Sequence, residues 1–156
     1  MSTDRYSHAT CVLIGEQGVL IRGVSGSGKS RLAELLLRAE AAARRFACLV
    51  GDDRLRLVAR HGRLLATVHP AIAGRRELRG LGLVAGNYEP TARLSLVIEL
   101  GATPAERMPP SDLHVRLEGI ALPLLRLSDG DIGPFAVALV QERLQQLDRN
   151  TMFRPA

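Results

Sequence analysis

The sequence predicts an α/β fold rich in strands and organised around one glycine-rich loop. Three observations point there. Short apolar runs such as "ATCVLI", "FACLV" and "RLSLVIEL" sit between glycine-containing turn signals, the pattern of β-strands. Two segments, "KSRLAELLLRAEAAARR" and "FAVALVQERLQQLD", have the length and periodicity of helices. The first of these starts inside "GVSGSGKS", directly after a strand, so that strand, loop and helix are consecutive.

Taken in order, "ATCVLI" is a first strand, "GEQG" a turn, and "VLIR" a second strand that runs into the loop. The helix extends from Lys29 to about Arg44, with Leu32, Leu35, Leu36 and Ala39 as its buried stripe. "FACLV" is continuously apolar, as in strands covered on both faces, and stops at "GDD". "RLRLVARHGRLLATV" alternates polar and apolar residues around "RHG", which predicts a hairpin. "RRELRGLGLV" reads equally as an ordinary strand bounded by glycines or as part of a site. In the second reading Glu77 and Arg79 share one face of a strand, and Gly80 and Gly82 leave room for close backbone approach. "RLSLVIEL" is the next strand, and "LHVRLEG" with "IALPLLRL" form a terminal pair. From Pro134 a closing helix carries Val137, Val140, Leu144 and Leu147 on one face, with proline in its first turn.

A chain of 156 residues with 46% hydrophobic and 24% charged residues suits one domain, residues 1–156. No apolar run is long enough to cross a bilayer, and "MSTDRYSHAT" has no apolar signal core. Neither membrane attachment nor export is expected, and the cytoplasm is the expected compartment. The net charge of +5 invites a nucleic-acid partner, but the arginines are scattered and only 3% of residues are aromatic. Nucleic-acid binding is therefore not expected; an acidic protein or a phosphorylated ligand would use the same field. Cys11 and Cys48 lie in apolar runs and read as reduced core thiols, able to form a disulfide only if their strands are neighbours.

The loop Gly23, Val24, Ser25, Gly26, Ser27, Gly28, Lys29, Ser30 matches G-x-x-x-x-G-K-[ST]. Glycines let such a backbone curl so that its N–H groups face phosphate oxygens, and the helix start adds a positive end. Lys29 is the chain's single lysine among 21 basic residues. A compact ammonium reaches between β- and γ-phosphates where a planar guanidinium is too broad. Ser30 offers its hydroxyl to Mg²⁺, and the nucleotide expected is ATP.

"LVGDDR" then ends an apolar strand with two acids, Asp52 and Asp53. An acid delivered beside such a loop commonly serves Mg²⁺. Neighbouring side chains on an extended chain point oppositely, so one acid orients metal or water while the other faces an acceptor hydroxyl. The sequence leaves open which does which. His61, in the hairpin turn, and His69, before Pro70, read as surface residues; His114 gives no signal.

Together, "GVSGSGKS", "VGDDR" and "RELRGLG" resemble the HPr kinase/phosphorylases, whose pattern is G-D-S-G-x-G-K-S, V-A-D-D-R and L-E-I-R-G-L-G in that order. His8 in "HATCVLI" falls at a family histidine. "ERMPPSDLHVRLEGIALPLL" is similar to the family's later stretch, with Arg107 at its functional arginine. The resemblance covers roughly residues 8–148. It implies a strand-rich nucleotide-binding domain similar to that of phosphoenolpyruvate carboxykinase, commonly assembled as a hexamer. It also implies an ATP- and Mg²⁺-dependent serine kinase for an HPr-type phosphocarrier, able in the family to run phosphorolysis as well. By this resemblance Lys29, Asp52, Asp53, Arg79, Arg107 and His8 are catalytic, and Ser30 and Glu77 hold the metal. Two departures stand out. Val24 replaces an acidic loop residue, and "LSDGDI" places acids where the family has a basic loop tied to phosphorolysis. Longer members also carry an N-terminal domain ahead of the kinase region. The competing readings are a small-metabolite kinase and a non-catalytic ATP sensor.

Overall fold

The computed structural model describes residues 6–78, 80–101, 108–110 and 112–152. Within them the chain forms β1 (Tyr6–Ser7), β2 (Thr10–Ile14), β3 (Gln17–Arg22), α1 (Lys29–Ala42), β4 (Ala47–Asp52), β5 (Leu55–Arg60) and β6 (Arg63–Val68). After a 3₁₀ turn at Pro70–Ile72 come β7 (Arg75–Leu78), β8 (Gly82–Ala85), β9 (Thr91–Gly101), β10 (His114–Leu117) and β11 (Ile120–Ser128). A second 3₁₀ turn, Asp129–Asp131, leads into α2 (Pro134–Met152).

Nine strands make one sheet in the order β1-β5-β6-β9-β3-β2-β4, with β11 also on β9 and β10 on β11. β3, β9 and β11 are mutually parallel neighbours, and β4 runs the same way because both β3 and β4 are antiparallel to β2. The carboxyl ends of β3 and β4 therefore emerge at one end of the sheet, on either side of the start of β2. Thr10, the first residue of β2, is paired with Ile21 on one side and Asp52 on the other. That alignment brings the glycine-rich loop and the acid pair together.

The sheet has apolar residues on both faces. Val12, Val19, Ile21, Leu96 and Ile98 join Leu32 and Leu36 of α1 and Val140 and Leu144 of α2 in one buried layer. Cys11, Leu20, Val50, Leu64, Ala66 and Val97 belong to the second layer. Along β9 the alternation changes phase: Ala92 and Leu94 face the second layer, Leu96 and Ile98 the first. The cause is an extra residue, Ser95, because Gly18 pairs with Leu94 but Val19 with Leu96. Gly18 is required at this step. A Cβ there would lie 2.4 Å from the Arg93 carbonyl oxygen.

Most expected elements form where their patterns place them. His61 and Gly62 both have positive φ (50° and 73°), as do Glu118 and Gly119 (48° and 79°), matching the two-residue turns that suit hairpin twist. α1 ends two residues early, at Ala42, and Arg44 turns left-handed (φ 56°). Its most buried positions are Leu32, Ala33, Leu36 and Glu40, with Leu35 and Ala39 only partly covered. "RRELRGLGLV" is neither one continuous strand nor a close-approach surface. It folds as the separate hairpin β7–β8, with Glu77 opposite Leu83. Gly80 and Gly82 supply left-handed φ (89° and 92°) with open space beside them. Cys11 and Cys48 lie on neighbouring strands but opposite Gly51 and Leu13 respectively, and both are free and buried thiols.

Candidate functional site

The loop between β3 and α1 is built on two tight glycines. A Cβ at Gly23 would meet Ser27 Oγ at 2.4 Å and the Leu100 carbonyl oxygen at 3.0 Å. Gly28 has φ 99°, and a Cβ on it would meet Ile132 Cδ1 at 2.3 Å, so the residue entering α2 covers the loop at its last glycine. Gly28 precedes the first residue of α1, Lys29. No side chain caps that helix and no acid lies in its first turn, which leaves its N–H groups for an external anion. Lys29 Nζ donates to the carbonyl oxygens of Gly23 (2.9 Å) and Val24 (3.1 Å), so the ammonium is folded over its own loop. Ser25, Gly26 and Val24 form the exposed crown, and the Ser27 hydroxyl is buried without a hydrogen-bond partner among the described residues.

The two neighbouring acids are separated in role by backbone geometry. Asp52 ends β4 and is partly buried. Its carboxylate accepts from Thr10 Oγ1 (2.7 Å) and from Ser30 Oγ (3.0 and 3.1 Å to its two oxygens). Asp53 takes φ 79°, a left-handed value that asparagine and aspartate tolerate better than most residues, while its N–H donates to the Ala9 carbonyl (3.0 Å). Its exposed carboxylate lies 3.2 Å from His8 Nδ1. The acids thus have different partners: Asp52 the loop's serine and a strand threonine, Asp53 a histidine at the solvent edge.

Glu77 of β7 lines a narrow cleft with Thr10, Ser30, Glu34 and Asp52. The hairpin is anchored there by Arg76, whose Nε lies 3.3 Å from Glu34 Oε2 on α1. Arg79 and Arg107 lie outside the described residues. Lys29, Ser30, Asp52 and Glu77 are therefore gathered at one end of the sheet, with His8 and Asp53 beside them. Two contributors have no motif to reveal them. Thr10 reads in sequence as a β-branched strand residue, and Arg76 as one of several arginines.

The residues fit a magnesium–nucleotide. One hydroxyl and two carboxylates around a cleft offer the hard oxygen ligands that Mg²⁺ takes alongside phosphates and water. The uncapped helix start, a Ser27 hydroxyl with no partner among the described residues and a lysine bonded to loop carbonyls are groups that phosphate oxygens would satisfy.

The profile of the HPr Serine kinase C-terminal domain matches residues 1–127. An HPr kinase/phosphorylase of Mycoplasma mycoides is 36% identical over 76 residues, 49% of this chain and 22% of that protein. One from Limosilactobacillus reuteri is 35% identical over 101 residues, 60% of this chain and 30% of that protein. The matched region thus spans less than a third of either relative. The structure of the Hpr(Ser) kinase/phosphatase from Coxiella burnetii superposes with a TM-score of 0.72 at 22% identity, covering 92% of this chain and 99% of that one, so the fold is shared. The kinship first visible in three short motifs extends across most of the sequence: the chain belongs to the HPr serine kinase C-terminal domain family.

Proposed function

We propose that this chain, as one catalytic domain, is an ATP-dependent protein-serine kinase that phosphorylates an HPr-type phosphocarrier. The observation that carries the reading is the division of labour between Asp52 and Asp53. Asp52 is tied to Ser30 of the phosphate loop, and Asp53 is tied to His8 and open to an incoming hydroxyl.

In this mechanism the loop N–H groups and Lys29 hold the nucleotide phosphates, with Lys29 exchanging its loop carbonyls for phosphate oxygens. Ser30, Asp52 and Glu77 hold Mg²⁺, which supplies charge neutralisation for the transferring group. Thr10 keeps Asp52 oriented toward Ser30. Asp53 accepts the proton of the carrier's serine hydroxyl as that oxygen attacks phosphorus, and His8 orients Asp53. Arg79 and Arg107 are assigned to charge on the transferred group. Phosphorolysis is not proposed. Asp129 and Asp131 lie within three residues before Ile132, whose side chain covers Gly28, and they add negative charge on that side of the phosphate loop. A cytoplasmic location and a homo-oligomer belong to the same reading, and no described helix is long and apolar enough to cross a membrane.

The deciding experiment incubates the protein with γ-labelled ATP and an HPr-type carrier. Label on a carrier serine, lost with Lys29→Ala while the circular-dichroism spectrum is unchanged, is the expected result. Label on a small metabolite, or ATP binding without any transfer, would replace this reading with one of its two competitors.

A further inference from the structure

The outer face of the β5–β6–β9 region carries a surface that the chemistry above does not use. Opposite residues on antiparallel strands share a face. The pairs Val58–Leu65, Arg60–Arg63, Leu65–Arg93 and Thr67–Thr91 therefore lie together on one side, while Leu64, Ala66 and Ala92 point into the second core layer. Val58, Leu65, Thr67 and Thr91 floor an open groove of about 300 Å³. Arg60, Arg63 and Arg93 are exposed around it and form no ion pair among the described residues. β5, β6 and the first three residues of β9 contain no acid. Arg60 and Arg63 are directly opposed like charges, an arrangement that costs stability by itself.

The groove lies along the strand that leaves the candidate site. β5 begins two residues after Asp53, and β1, which ends just before His8, pairs with β5 at Tyr6–Arg56. At about 3.3 Å per strand residue, Arg60 is about 20 Å from Asp53. A hydroxyl presented by a folded protein brings that protein's surface with it. A standard interface covers about 800 Å² on each partner, a disc about 30 Å across. A footprint of that width with Asp53 near one edge, extending along β5, covers the groove. The floor combines Val58 and Leu65 with two threonines bonded to each other, and arginines, which are enriched at such contacts, stand beside it.

We propose that this face docks an acidic surface of the protein that carries the acceptor serine, with carboxylates meeting Arg60, Arg63 and Arg93. The inference rests on the kinase reading for the identity of the partner, and its test separates the two. The probe is the HPr-type carrier, titrated against wild-type protein and against the triple variants Arg60→Glu/Arg63→Glu/Arg93→Glu and Arg60→Gln/Arg63→Gln/Arg93→Gln, each first shown to melt like wild type. Binding at low salt is expected to weaken roughly tenfold in the Gln variant and further in the Glu variant. KM for the carrier should rise in parallel, with kcat and ATP affinity unchanged, and high salt should erase most of the wild-type advantage. Equal carrier affinity in all three proteins overturns the docking surface and leaves the kinase reading standing. Carrier binding lost in the variants, with no transfer by wild type, sinks the kinase reading and keeps the surface. No binding of carrier to wild type, or wild-type self-association that the variants abolish, overturns the assignment of this face to the acceptor protein.

Discussion

Asp53 holds a left-handed backbone that a glycine would adopt more easily. Among the described residues its side chain pairs with His8, and both are exposed. Such a residue adds little to stability, and its exposed carboxylate beside the loop suits a chemical role. Replacing Asp53 by Gly is expected to leave the melting temperature unchanged or raised while abolishing transfer to the carrier. A melting temperature several degrees lower would assign Asp53 to the fold. Thr10 is the reverse case, being buried with its hydroxyl donated to a carboxylate. Thr10→Val removes a charge-assisted hydrogen bond at constant shape and is expected to cost about 1–2 kcal/mol in denaturant unfolding, together with a fall in kcat. At Gly28 a Cβ meets Ile132 while φ is left-handed. Gly28→Ala should cost about 1–3 kcal/mol and weaken nucleotide binding, measurable by titration with a fluorescent ATP analogue. Lys29, Ser30 and the acid pair were legible because motif and spacing mark them. Thr10 was not, since a threonine opening a strand looks like every other β-branched residue, and its role arises only when β2 is laid beside β4.

At the scale of elements, the two helices are joined by one buried carboxylate. Glu40 of α1 accepts from Arg45 (2.6 and 3.2 Å), just past the helix end, and from Gln141 of α2 (2.8 Å). The Arg45 hydrogen bonds hold its carboxyl below the usual range. Burial pushes the other way but is outweighed once the Gln141 bond and the Arg45 charge are added. The sign follows from linkage. The unfolded state binds the proton more readily, so Glu40 stabilises the fold fully above an unfolded pKa of about 4.3 and loses that contribution as pH falls through its lower folded value. The Tm difference between wild type and Glu40→Gln should therefore be largest near neutrality and shrink below about pH 4.3 in calorimetric scans; a gap independent of pH would refute the linkage. Local patterns located both helices and the β5–β6 and β10–β11 hairpins well. "RRELRGLGLV" was harder to read, because its turn glycines and its apolar residues fit one strand or two equally. The ambiguity ends only when β7 is anchored to α1 through Arg76 and Glu34.

For the molecule as a whole, strand order was the least legible property. β9 joins β3, β6 and β11, and no local pattern encodes which distant segments meet. What the sequence does carry is the burial of its two thiols. Burial drives the Cys11 thiol far above its ordinary range, and burial followed by the Glu89 charge raises that of Cys48. Neither should react with an aromatic disulfide reagent in native protein, and both should react at once in denaturant; rapid labelling of Cys11 in native buffer would mean that the second layer opens. The extra residue at Ser95 adds a constraint of another kind. The strand behaves like two rulers joined with their marks offset by one division, and the offset decides which side chains reach which layer. Substitutions on either half leave the scales aligned. Deleting Ser95 would close the offset and leave Leu94 and Leu96 as ordinary neighbours on opposite faces, whereas deleting or inserting one residue elsewhere in β9 would turn part of the strand over and carry leucines out of their layer. The spacing within each half of the strand is therefore held more strictly than its composition, and the close approach at the offset is possible because Gly18 has no side chain.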